Sequence, residues 1–158
     1  MGAIDKMIFG SLWNFSSTLD VLIVDLPPGT GDIHLSIAQN LHINGAVVVS
    51  TPQKVALADA KKAVKMFERT QIPVLGLIEN MSSFECPNCQ KVTHVFGEKH
   101  NLLENIPTLG KIPLDVEIMR NADEGTPLVI THPNSIASQE YQSISEQIVN
   151  SLHSGPES

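Results

Sequence analysis

Short apolar runs alternate with amphipathic stretches along most of this 158-residue chain. Val21-Leu22-Ile23-Val24, Ala46-Val47-Val48-Val49, Val74-Leu75-Gly76-Leu77-Ile78 and Leu109 to Ile112 are too short for helices. Their β-branched content reads as four buried strands. Pro27-Pro28-Gly29 ends the first and Pro52 the second. Elsewhere apolar residues recur at helical spacing. Ile4, Met7, Ile8 and Leu12 predict a helix over 3–13, and 33–41 predicts another with Asp32 as its N-cap. Ala56, Leu57, Ala60, Val64 and Phe67 predict an amphipathic helix over 55–69. Shorter helical pieces are expected at 101–104 and 116–122. Ala137, Tyr141, Ile144, Ile148 and Leu152 mark a terminal helix capped by Asn134 or Ser135. Strands that are apolar throughout, alternating with helices, predict an α/β fold: a mostly parallel sheet with helices on both faces. No repeat, low-complexity segment or linker divides the chain. Residues 1–153 therefore read as one domain, and 154–158 as a loose polar tail.

Composition narrows the partners. Hydrophobic residues make up 42% and charged residues 17%, a globular balance. Ten basic against seventeen acidic residues give a net charge of −7, and no basic run stands out. Nucleic acid and anionic membranes are not expected partners. Aromatics, at 4%, offer little surface for stacking bases. No apolar run approaches the ~18 residues a membrane span needs, so no span is expected. Met1 to Leu19 carries Asp5 and Lys6 and has no basic region leading into a long apolar stretch, unlike a signal peptide. It is not Arg-rich, as a transit peptide would be, and Lys6 stands where a myristoylation site wants Ser or Thr.

The chemistry concentrates in two places. Cys86-Pro87-Asn88-Cys89 holds the only two cysteines, spaced so that one tight turn can aim both sulfurs at one metal or cluster. Structural zinc and a cubane iron–sulfur cluster each want four ligands. Two sources can complete the set: His94 and His100, or the same cysteines of a second copy. The interval C-x2-C-x4-H-x5-H is shorter than the usual zinc-finger spacing but leaves a compact zinc knuckle open. A thioredoxin-like redox pair needs its first Cys at a helix N-terminus, and Pro87-Asn88 reads as loop instead. The second place is Asp25-Leu26-Pro27-Pro28-Gly29-Thr30-Gly31-Asp32, at the carboxyl end of an expected strand, where open α/β sheets bind ligands. An Asp there can hold the water shell of Mg²⁺, and the glycines let backbone N–H groups approach a phosphate. Neither G-x-x-x-x-G-K-[ST] nor G-x-G-x-x-G occurs in the 158 residues.

These motifs, in this order, resemble the Mrp-type P-loop ATPases of iron–sulfur cluster assembly. Asp25 to Asp32 is similar to that family's Walker B and switch segment. Val49-Ser50-Thr51-Pro52-Gln53 with Ala56 to Ala60 is similar to its next strand, loop and helix. Gly76-Leu77-Ile78-Glu79-Asn80-Met81-Ser82 is similar to its adenine-side strand, which runs into the CPxC loop. Phe96-Gly97 and Gly110-Lys111-Ile112-Pro113-Leu114 match as well, so the resemblance spans roughly residues 3–152. Thr93-His94-Val95-Phe96-Gly97 is most similar to the mitochondrial nucleotide-binding-protein-like branch, which serves respiratory complex I assembly.

The resemblance implies a truncated P-loop NTPase fold of the deviant Walker A, MinD-like kind. It implies a homodimer in which Cys86 and Cys89 of each chain bridge one labile [4Fe–4S] cluster for transfer to recipient apoproteins, complex I among them. It also implies Asp25 on hydrated Mg²⁺, Asp32 in the switch that senses ATP, Asn80 on adenine, and Ile112-Pro113 against the base. Location in the mitochondrial matrix follows from the branch, and in the cytoplasm otherwise. The family's deviant Walker A loop and signature lysine are absent from these residues. ATP hydrolysis by this chain alone is therefore not expected, and no residue is assigned a catalytic role. The chain reads as a truncated product, an incomplete gene model or one piece of a split protein. In the family's sheet the missing strand lies between those equivalent to 21–25 and 46–50. The competing expectations are a zinc-stabilised interaction module held by Cys86, Cys89, His94 and His100, or a fragment without function.

Overall fold

A computed structural model gives the architecture, and it describes residues 6, 8, 10–13, 19–27, 31–97, 103 and 105–153. The chain groups into two compact units, Met1–His42 and Ile43–Ser158.

In the first unit, helix α1 spans Asp32–Asn40. Gly31 is its N-cap, extended at φ −79° and ψ −170°. The Gly31 carbonyl accepts from His34 N at 3.1 Å and Leu35 N at 3.4 Å, so the cap falls one residue before the Asp32 that the sequence suggests. Of the helix expected over 3–13, Lys6 and Ile8 are helical and 10–13 are not, while the other positions lie outside the described residues. The run 21–25 departs from expectation. It forms no strand; Val21, Leu22 and Val24 are each 41% exposed and Ile23 is 86% exposed. An apolar run becomes a buried strand only where neighbours satisfy its backbone. Among the described residues nothing pairs with this run.

In the second unit, strands β1 (Ala46–Ser50), β2 (Val74–Glu79) and β5 (Thr108–Lys111) form a parallel sheet in the order β1-β2-β5. Helix α2 (Lys54–Arg69) makes the crossover from β1 to β2 and covers one sheet face. Side chains on a strand alternate between faces. Val48 and Leu77 meet Leu57, Ala60 and Val64 of α2, with Leu103 closing the cluster. Val47 and Ile78 point the other way, towards Ile144 and Ile148 of α5 (Ile136–His153). Helices therefore cover both faces of a parallel sheet, as the hydrophobic pattern predicts. Gln147 Nε2 donates to Leu109 O at 2.8 Å and ties α5 to β5.

Of the 101–104 piece, only Leu103 falls among the described residues; it is a buried bend. Helix α3 (Val116–Asp123) starts at Asp115, whose carboxylate accepts from Glu117 N at 2.9 Å. Ser135 rather than Asn134 caps α5, accepting from Ser138 N at 3.2 Å. One-turn α4 (Leu128–Thr131), behind Pro127, is too short to leave a periodic signal.

Gly76 lies at the sheet centre because nothing larger fits. A Cβ there would sit 2.5 Å from Leu109 Cγ and 2.8 Å from the carbonyl oxygen of Pro107, a backbone atom that cannot swing aside. Gly76→Ala is expected to cost about 1–3 kcal/mol, read as a lower urea midpoint. An unchanged midpoint would mean that β2 and β5 are not packed this closely.

Candidate functional site

The parallel strands end together, and a short hairpin hangs from that end. Past Glu79, Asn80 N donates to Ser50 O at 2.7 Å, joining the ends of β2 and β1. The Asn80 side-chain oxygen accepts from Met81 N at 2.9 Å, and Met81 takes the left-handed conformation at φ 54°. That turn swings buried Ser82 against the residue after β5. Ile112 O accepts from Ser82 N at 2.9 Å and from Ser82 Oγ at 3.1 Å. Ile112 N in turn donates to Glu79 O at 2.9 Å, and Leu114 N to Ser83 O at 2.7 Å. Bonds between the two strands thus continue past the regular ladder.

The chain then enters β3 (Phe84–Glu85), which pairs antiparallel with β4 (Val92–Thr93). Both cysteines lie in the turn between them. Cys86 N donates to Lys91 O at 3.1 Å, and Gln90 N donates to Cys86 O at 2.8 Å. Gln90 closes the turn at φ 58°. The sequence suggests a loop here; two strands of two residues each are too short to show a period of two. Cys86 is half-buried, Cys89 exposed, and both are free thiols. The backbone N–H of Cys89, then that of Asn88, and then the Cys89 thiol donate to the Cys86 sulfur. These donors hold the Cys86 thiol below its ordinary range, against a small opposing effect of desolvation. The turn therefore favours the thiolate that a metal requires.

His94 follows β4, and its Nδ1 donates to Ser82 O at 3.0 Å, fastening the hairpin to the end of β2. His100 lies outside the described residues. Among the described residues no group of three or more His, Cys, Asp or Glu side chains is placed to hold a metal ion. The described part of the site holds two thiols.

The residues expected to meet a nucleotide divide between the units. Asp25 is exposed in the first, where Asp32 opens α1; Pro28 to Thr30 lie outside the described residues. Asn80, Ile112 and Pro113 come together in the second at the carboxyl end of the sheet. The Ile112 side chain is 2% exposed and packs with Leu109 and Ile144. Both its backbone groups are spent on Glu79 and Ser82, so half-buried Pro113 is the part of this pair that remains accessible. Sequence reasoning passed over Ser82 and Glu79. Glu79 is buried at the foot of the site, with Lys111 Nζ 3.7 Å from its Oε2. Both belong to motifs already singled out, but only the fold shows that they join β2 to β5.

Known proteins resemble this chain in sequence and in fold. A family profile described as ParA, NUBPL iron-transfer P-loop NTPase matches residues 1–149. An Arabidopsis thaliana protein named iron-sulfur protein required for NADH dehydrogenase, mitochondrial, is 45% identical over 156 residues, covering 96% of this chain and 49% of its own length. Among solved structures, a nucleotide-binding protein from Archaeoglobus fulgidus in complex with ADP superposes with a TM-score of 0.55 at 44% identity, over 63% of this chain and 43% of that one. The Pyrococcus furiosus cell division ATPase MinD gives a TM-score of 0.55 at 22% identity over 68% of this chain and 43% of its own, and shows the fold alone. The chain spans about half the length of the curated relatives it matches. Among the described residues no helix is long and apolar enough to cross a membrane.

Proposed function

The chain belongs to the NUBPL iron-transfer P-loop NTPase family, and from that premise we propose that its cysteine hairpin is half of a carrier site for a transferable [4Fe–4S] cluster. The observation that carries this reading is the pair of free thiols in one turn, with backbone N–H groups on the Cys86 sulfur and no third ligand among the described residues. A cubane cluster takes four thiolates. A second copy of the chain supplies the other two, and the cluster, as cargo, bridges the pair. N–H donors at a sulfur stabilise its negative charge and so favour the thiolate form of Cys86 that binds iron. Exposed Cys89 is the ligand that an incoming thiolate of the recipient displaces first. The recipients are iron–sulfur apoproteins. The Arabidopsis relative's name points to NADH dehydrogenase among them, and to mitochondria as the place.

Nucleotide belongs to the same proposal. Asn80 offers its side-chain amide to adenine, and Pro113 lies against the base. Asp25 holds Mg²⁺ through water, and Asp32 serves the switch. The 158 residues contain no P-loop lysine motif, so phosphate transfer is not assigned to them.

Anaerobic loading with iron and sulfide, followed by size-exclusion chromatography and metal counting, tests the core claim. About four iron and four sulfide per dimer support it; one zinc on a monomer would sink it. His94→Ala sharpens the choice. The donor bond from His94 to Ser82 O gives this side chain a fastening role, so the variant is expected to keep its full complement of iron. Loss of metal from His94→Ala would favour a Cys/His zinc module instead.

A further inference from the structure

Helix α2 carries a charge pattern that neither the fold nor the cluster site explains. Five of the chain's ten basic residues lie on its sixteen positions: Lys54, Lys61, Lys62, Lys65 and Arg69, all exposed. With two acidic residues, Asp59 and Glu68, the helix is +3, whereas the other five basic and fifteen acidic residues leave the rest of the chain at −10. At 100° per residue, Lys54, Lys61, Lys65 and Arg69 line one exposed stripe that flanks the face buried by Leu57, Ala60 and Val64. Lys62 pairs with Asp59 at 2.9 Å. Among the described residues the other four have no ion-pair partner.

The pattern works against the helix that bears it. Lys61 and Lys65, and again Lys65 and Arg69, are like charges four apart, which repel. Lys54 opens the helix, and its first turn has no acidic residue, so a cation sits at the positive end of the macrodipole. Arg69, in the last turn, suits the macrodipole, but helix stability does not account for the rest of the stripe.

We infer that the exposed basic stripe of α2 is a docking surface for an acidic patch on another protein. In the carrier reading, on which this part of the inference rests, that protein is the cluster recipient. Charge complementarity across such a face speeds encounter and selects partners. Other occupants fit less well. The apolar side of α2 is committed to the core, so the helix cannot sink into a bilayer, and an extended anionic surface would also meet the −10 remainder of the chain. The stripe carries no aromatic residue on which a base could stack. Residues 115–153 hold six acidic residues and one basic, but they belong to α3–α5, and α5 packs on the sheet face opposite α2. Copies docking through those two faces would form an open stack instead of a closed assembly.

The test is binding of the cluster-free chain to a labelled, acidic bacterial-type apoferredoxin, at low salt and at physiological ionic strength. The wild type is expected to bind with an affinity that falls as salt rises. The double charge reversal Lys61→Glu with Lys65→Glu should weaken binding by roughly tenfold or more at low salt, and the gap should narrow as salt is added. Lys61→Ala with Lys65→Ala should fall between them, and circular dichroism should report an intact helix in both. Equal binding by wild type and reversal, or no salt-dependent binding by the wild type, overturns the inference. So does an equally strong, reversal-sensitive association with anionic lipid vesicles, or self-association that the reversal abolishes. Because this measurement needs no cluster, failed cluster loading would strike the carrier reading and leave this result standing.

Discussion

Replacing Cys86 or Cys89 by serine abolishes cluster binding, and the iron retained after anaerobic loading falls from about four per dimer to none. Two thiolates per chain are all that the described part of the site supplies. Removing one from each chain leaves two for a cluster that needs four. A serine hydroxyl does not ionise near neutral pH and so cannot stand in for a thiolate. The folded state should hardly notice, because both thiols lie in an exposed turn outside the core clusters. Unchanged thermal unfolding beside lost iron is therefore the expected pair of results. Stoichiometric iron and sulfide in either variant would end the proposal that these cysteines carry the cluster.

Leu77→Ala has the largest expected effect on stability, about 2–5 kcal/mol. Leu77 is wholly buried on the central strand, between the parallel partners β1 and β5. It packs in one cluster with Val48, Leu57, Ala60, Val64 and Leu103. Truncation there loses buried apolar surface and leaves a cavity that three strands and a helix cannot easily collapse into. Domains are stable by about 5–15 kcal/mol, so the loss takes a large share. Urea unfolding followed by circular dichroism measures it. A change below about 1 kcal/mol would show that β2 is not the centre of this core. The site should suffer as well, because Asn80 to Ser83 hang directly from the end of β2.

The sequence shows most clearly those elements that bury a face. Leu57, Ala60 and Val64 declare α2, and Val47 with Val48 declare a strand covered on both sides. The cysteine pair declares its chemistry through spacing alone. The hairpin that holds it was not legible, because its order comes from contacts distant in sequence: His94 with Ser82, and Ser82 with Ile112. Ile112 misled for a related reason. Its motif suggests a surface for a base, yet its position one step beyond β5 turns the side chain into the core. The run 21–25 misled because hydrophobicity records a readiness to be covered, whereas a strand also needs a neighbour with backbone groups to share.

That uncovered run bears on how the chain behaves in solution. Val21 to Val24 is a short stretch of high β-propensity, without charge or proline, and open to solvent. Longer stretches of this character drive cross-β aggregation between molecules, and an exposed one invites pairing. Asp20 and Asp25 flank it, one carboxylate at each end, in the arrangement by which gatekeeper charges keep sticky strands soluble. Replacing Asp25 by Ala is therefore expected to raise the tendency of the chain to aggregate, read by light scattering, with no nucleotide involved.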